Sequence, residues 1–277
     1  MPVGNITRGT TNPNRLRRVD RWISTLPVLR HTKDPLVVDL GFGASAVTTV
    51  ELRERLLHVR PDVEVVGLEI DPARVESARA DLRKWGMVDA HPPLSFELGG
   101  FETPLPDARR ACVIRAFNVL RQYDESAVDA AWQSMLAAMQ PGGVLVDGTC
   151  DEIGRVATWI SLTPGALGAP GALGTASGPQ SLTISLRLDG LEAPSIAAER
   201  LPKALIHHNV AGDPVNALMT DLDRWWSIHT GLGTFGASQR WIATVESMKA
   251  NGWPVLAGRT RWRLGEITIA WGALGRV

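Results

Sequence analysis

Cysteine is nearly absent from this chain, tyrosine occurs once, and the charges cancel. Two cysteines, Cys112 and Cys150, cannot staple 277 residues. Both stand beside apolar runs, which reads as a reduced, cytoplasmic protein. No stretch approaches the ~18 apolar residues of a membrane span. The first residues carry no apolar core of the signal-peptide kind, so no secretory signal is read there. A formal net charge of zero weakens the case for a general nucleic-acid binder. Spaced cysteine, histidine and acid ligands are missing too, so no metal is expected.

What is present is a globular balance of 44% hydrophobic and 21% charged residues, enough to exclude wholesale disorder. The length suits one large domain. Residues 1–35 read as a basic N-terminal arm, and 36–277 as a single domain. Within it, 36–150 form one half and 151–277 a second half that completes the same sheet. Within the arm, residues 1–33 hold Arg8, Arg15, Arg17, Arg18, Arg21, Arg30 and Lys33 against Asp20 alone. The arm either docks on an acidic body or clamps an anionic substrate. Residues 164–180 repeat GALG with almost no large side chains and read as a flexible loop or lid. Six of ten tryptophans fall late, at Trp225, Trp226, Trp241, Trp253, Trp262 and Trp271. They imply a second-half core, an aromatic pocket or an oligomer interface.

Periodicity alternates strand with helix. LVVDL (36–40), VEVVGLEI (63–70), LSFEL (94–98), CVIRAF (112–117) and VLVDGT (144–149) are short apolar runs that read as buried strands. Helical spacing fills 46–58 and 125–139, and Asp71-Pro72 opens a helix as N-cap and first helical residue. Further helices are expected at 194–206, 214–228 and 237–250. This alternation predicts βαβ units, a parallel sheet and right-handed crossovers.

Between the first strand and its helix lies Asp39-Leu40-Gly41-Phe42-Gly43-Ala44-Ser45-Ala46. Glycines there let backbone approach a ligand, and the helix start offers free N–H groups. Gly41, Gly43 and Ala46 also satisfy the dinucleotide pattern G-x-G-x-x-G/A. Asp39, before the first glycine, disfavours a pyrophosphate and welcomes an ammonium or sulfonium group. Glu69, ending the second strand, is placed to accept ribose hydroxyl protons.

VVDLGFGAS at 37–45, VVGLEIDPARV at 65–75, FELGGFETPLP at 96–106, CVIRAFNVLRQY at 112–123 and MQPGGVLVDGT at 139–149 stand in a telling order and spacing. Over 36–150 the chain thereby resembles the class I S-adenosylmethionine-dependent methyltransferases. The resemblance implies an α/β, doubly wound, mostly parallel seven-stranded sheet in the order 3-2-1-4-5-7-6. Its last strand would be antiparallel, with helices on both faces. SLTISLRL (181–188) and EITIAW near the end would supply the two remaining strands. It makes 36–150 the cofactor half and 151–277 the substrate half.

It further implies that Asp39, Gly41 and Gly43 hold the methionine part of S-adenosylmethionine. Glu69 would hold the ribose, and Ile70 would flank the adenine. Ala116, Phe117 and Asn118 would lie along the methyl path. Two departures belong to the same cofactor site. Ser45 replaces the usual third glycine, and Gly99-Gly100-Phe101 replaces an acid after the third strand, with Phe101 able to face the adenine. The implied function is in-line methyl transfer to a small molecule. RNA or protein methyl transfer, a non-catalytic S-adenosylmethionine-binding protein and a nicotinamide oxidoreductase are the alternatives. Arg121, Tyr123 and Glu152 are expected around the acceptor. His207, His208 and Asp151 are candidate bases, followed by His229.

Overall fold

The computed structural model describes residues 2–165 and 177–275. The arm is folded: α1 (Arg17–Ile23) and α2 (Pro27–His31) bury Val19, Ile23 and Leu29 against the domain. The apolar runs become β1 (Leu36–Leu40), β2 (Glu64–Glu69), β3 (Leu94–Leu98), β4 (Ala111–Phe117) and β5 (Met139–Cys150). Between them stand α3 (Val47–Leu57), α4 (Pro72–Trp85) and α5 (Val128–Ala137). Asp71 caps α4 by accepting from the Ala73 N–H at 2.9 Å. Gly86 ends that helix in the left-handed region at φ 67°, the conformation that glycine adopts without a Cβ penalty.

The second half adds β6 (Val156–Thr163), β7 (Gly178–Leu186), α6 (Lys203–Ile206), α7 (Pro214–Ile228) and α8 (Ala237–Ala250). It closes with β8 (Val255–Leu256), α9 (Arg259–Trp262) and β9 (Glu266–Ala270). The expected 194–206 helix is instead a 3-10 stretch, Pro194–Arg200, followed after Pro202 by short α6. A proline there cannot donate to a continuous helical ladder.

The described strands form one nine-stranded sheet in the order β3-β2-β1-β4-β5-β6-β7-β9-β8. The α/β class, the doubly wound arrangement and the leading order 3-2-1-4-5 are as expected. The seven-strand order ending 7-6 is corrected. VATWISLT, not anticipated as a strand, is β6, and it pairs antiparallel directly beside β5. Only Asp151 to Arg155 link the two strands, too few for a parallel crossover and enough for a hairpin. β1 to β5 pair in parallel, while β6, β7, β9 and β8 extend the sheet by antiparallel pairing. Gly178, Pro179 and Gln180, assigned to the loop, begin β7, whereas 166–176 lie outside the described residues.

Apolar side chains line both faces. One core joins α1, α2, α3 and α4 to the sheet, and the other joins α5, α6, α7 and α8. Trp226, Trp241, Trp262 and Trp271 are buried in the second, so the late tryptophans are largely core. Cys112 and Cys150 are buried free thiols, and burial pushes Cys112 up to about 12.

Asp147 on β5 is also buried, its Oδ2 accepting from the Trp132 indole N–H at 3.0 Å. Burial pushes its carboxyl up from 3.8 to about 7, the Trp132 bond only partly opposing this. A raised carboxyl favours the native state at low pH, and that contribution is lost as pH rises from the unfolded to the folded value. Asp147→Asn cannot ionise. Urea midpoints of variant and parent should diverge in the variant's favour between about pH 4 and about pH 7, then run parallel. A pH-independent difference would contradict this.

Candidate active site

The register of β1 against β4 sets Asp39 beside Arg115. Arg115 grips Asp39 in a fork, Nε to Oδ1 at 2.9 Å and Nη2 to Oδ2 at 2.6 Å. Its Nη1 donates to Asp20 of α1. Thr49 of α3 donates to Asp39 Oδ2 at 2.7 Å, and Arg55 reaches Asp20 at 2.6 Å. Arg115 and Asp20 are fully buried. Burial lowers the Arg115 pKa, but Asp20 and Asp39 outweigh it and hold the guanidinium charged. The expectation that Asp39 offers a free carboxylate to an ammonium group is therefore corrected. Asp39 shares the α1/α3 side of the sheet with Val37, and both its oxygens are engaged.

The strand order reverses between β1 and β4, the place where ligands of such sheets bind beyond the carboxyl ends. There Gly41 and Gly43 turn the chain at φ 70° and 87°. A Cβ on Gly41 would lie 2.5 Å from Val119, so the turn requires glycine. Glu69 ends β2 beneath this loop, Oε2 accepting from the Gly43 N–H at 3.1 Å and Oε1 from Ile70 at 2.9 Å. Arg74 Nη1 lies 3.6 Å from Glu69, buried and without a hydrogen-bond partner.

The arm crosses this crevice. Phe101 N–H donates to the Val3 carbonyl at 2.9 Å, and Ala44 N–H to the Gly9 carbonyl at 2.9 Å. Tyr123 accepts from the Asn5 N–H and donates to the Asn5 carbonyl at 3.0 Å. Arg74 Nη2 donates to the Thr7 carbonyl at 2.7 Å. A Cβ on Gly100 would strike the Val3 carbonyl at 2.1 Å. Beside Glu69, Ile70, Gly100, Phe101 and Tyr123 the remaining space is about 20 Å³.

The crevice opens further along into a cavity of about 550 Å³ over the ends of β1, β4 and β5. Asp39, Gly41, Gly43, Phe117, Asn118, Arg121 and Glu152 line it, as do Arg8, Arg15, Cys150 and Arg200. Asn118, at φ 60°, ties its own turn to β5 by accepting from the Cys150 N–H at 3.0 Å.

Other expected residues stand apart. Ala116 is buried within the sheet. Ser45 meets Thr11 at 3.2 Å. Asp151 accepts from the Arg155 N–H at 2.7 Å, within the β5–β6 turn. The candidate bases are corrected: none of His207, His208 and His229 lines the cavity. His207 is exposed, His208 sits between Asp213 and Glu125, and His229 meets Ser247 at 2.8 Å.

Sequence reasoning missed Arg200 and, though it offered the arm as a clamp, did not say which arm residues wall the cavity. The signal was the arm's charge. Its arginines dock largely on backbone rather than on an acidic surface: Arg15, Arg17 and Arg18 donate to carbonyls of 150–154.

Among solved structures the chain is similar to the mitomycin 7-O-methyltransferase MmcR, at 22% identity over 49% of this chain and 36% of that one, TM-score 0.37. The neocarzinostatin O-methyltransferase NcsB1 with S-adenosyl-L-homocysteine gives 20% identity over 48% and 40%, TM-score 0.34. Human N-acetylserotonin methyltransferase with SAM gives 22% over 48% and 35%, TM-score 0.34. The match thus takes in well under two thirds of each neighbour. Likenesses at these scores assign neither ligand nor reaction to this chain. No family model and no curated protein matches the sequence.

Removing Arg115 would leave buried Asp39 without its cation and Asp20 with Arg55 alone. Arg115→Met should cost about 3–5 kcal/mol in urea unfolding, the scale for breaking a buried pair. A loss below about 1 kcal/mol would show that the cluster is dispensable.

Proposed function

We propose that this chain is an S-adenosylmethionine-dependent methyltransferase acting on a small molecule. The observation that carries the reading is the meeting, at the β1/β4 switch point, of the Gly41–Gly43 turn and the Glu69 carboxylate beside a cavity of about 550 Å³. The donor set fits the adenosine part of the cofactor. Glu69 spends its oxygens on backbone N–H groups of Gly43, Ile70 and Asp71, which leaves acceptor capacity for a ribose hydroxyl. Arg74 Nη1, 3.6 Å from Glu69, has no hydrogen-bond partner there. Phe101 and Ala44 hold backbone donors that now serve arm carbonyls. The space fits only when residues 3–7 leave, because adenine cannot enter about 20 Å³.

When bound, S-adenosylmethionine supplies an electrophilic methyl group. The chain's contribution is then alignment and exclusion of water, for which effective molarity is the physical lever. Asn118 and Phe117 wall the path from the glycine turn towards the open cavity.

A second reading has one observation behind it. With Asp39 neutralised by Arg115, nothing repels a pyrophosphate from the glycine turn, and cationic side chains surround the neighbouring space. That suits a dinucleotide. The nucleic-acid alternative loses its support, because three of the arm's arginines are turned inward onto carbonyls.

Calorimetry of the full chain with S-adenosylhomocysteine and, separately, NADH tells the two readings apart. S-adenosylhomocysteine should bind in the micromolar range, and Glu69→Gln should weaken it by about 1–3 kcal/mol. Binding of NADH alone would establish the dinucleotide reading instead. Deleting residues 2–7 should raise the association rate of S-adenosylhomocysteine by about tenfold, since the binding-competent state is then always populated. A slower rate would mean that the arm helps to form the site.

A further inference from the structure

Four arginines, Arg8, Arg15, Arg121 and Arg200, line the cavity. Two acidic residues, Asp39 and Glu152, share that lining and leave the cations in excess. Asp39 is spent on Arg115. The Glu152 side chain, 66% exposed, lies 3.7 Å from the Arg200 guanidinium and feels the Arg15 charge from farther off.

The cations are held in place by the fold. Arg15 is 9% exposed and spends its donors on carbonyls: Thr10 at 2.6 Å, Asp151 at 3.0 Å and Cys150 at 3.4 Å. Among the described residues it has no carboxylate within ion-pair distance, and Glu152 feels its charge only from farther off. Arg121 donates only to the Leu201 carbonyl, at 3.5 Å. Burial, and after it the neighbouring Arg200, pulls the Arg121 pKa down, with Glu199 partly opposing. Arg200 cannot swing its backbone away, because its carbonyl accepts from both the Thr149 and Thr158 hydroxyls of β5 and β6. Like charges fixed together in a half-buried place are costly unless a ligand supplies the counter-charge.

The cofactor does not supply it. The ammonium and carboxylate of its amino-acid end cancel, and the sulfonium adds a further positive charge. Resting on the methyl-transfer reading above, we propose that the acceptor is a small organic anion whose carboxylate or phosphate is held by Arg121 and Arg200, with Arg15 adding its charge. Guanidinium forks match the oxygens of either group. The same field holds an acidic acceptor in its deprotonated form. That is consistent with the lack of a histidine among the lining residues.

The test is calorimetric titration of the full chain, with and without S-adenosylhomocysteine, by salicylate and phenyl phosphate. Salicylamide and phenol serve as uncharged counterparts. The anions should bind at least about tenfold more tightly than their counterparts, and less tightly as salt rises. The double variant Arg121→Gln/Arg200→Gln should abolish the preference, and Arg200→Lys alone should keep much of it. Equal affinities for charged and uncharged probes, or no anion binding at roughly millimolar concentration, would overturn the proposal. So would a parallel loss of S-adenosylhomocysteine affinity in the double variant, which would place the arginines on the cofactor's own carboxylate. If S-adenosylhomocysteine fails to bind the parent chain while the anion preference stands, the methyl-transfer reading falls and the acceptor role falls with it.

Discussion

Arg115 joins three parts of the molecule that are distant in sequence. It rises from β4, forks onto Asp39 of β1 and reaches Asp20 of α1, while Thr49 and Arg55 of α3 complete the cluster. A buried charge is tolerated only when paired and hydrogen-bonded, so the cluster fixes partners as well as filling space. It pins β1 to β4 at the point where the sheet reverses direction. It also anchors the arm's helix next to the glycine turn, and from that anchor the preceding residues lead back across the crevice.

Two different environments result along one groove. At the Glu69 end the arm's carbonyls occupy the backbone donors of Phe101 and Ala44, and almost no space remains. At the Asn118 end the space is large and its walls are cationic. The arm belongs to both: Val3 to Thr7 fill the first, and Arg8 to Arg15 wall the second. A ligand spanning the groove must exchange arm contacts for its own at one end and meet an excess of cations at the other.

Much of the fold was legible because local and tertiary signals agree. LVVDL and CVIRAF are continuous apolar runs, as buried parallel strands require, and Asp71-Pro72 is a helix start with a mechanism. The leading order 3-2-1-4-5 came from the resemblance carried by those segments, not from periodicity. VATWISLT escaped notice because it follows β5 after a short turn with Gly154 at φ 66°, and the alternating βα pattern gives no reason to expect a hairpin there. The site was legible in part. Glycine turn and Glu69 stand where their spacing implies. The direction of the Asp39 side chain was hidden, since a strand buried on both faces gives no periodic clue to its orientation. Only its register against Arg115 resolves it. The arm's arginines were visible as charge, but their destination on the carbonyls of 150–154 depends on the hairpin that was not foreseen.

The most direct measurement is a crystal structure of the full chain grown with S-adenosylhomocysteine. The account requires the ribose on Glu69, the adenine beside Ile70 and Phe101, and the Val3 carbonyl gone from the Phe101 amide. Residues 3–7 still seated in the crevice, with the ligand elsewhere or absent, would contradict it.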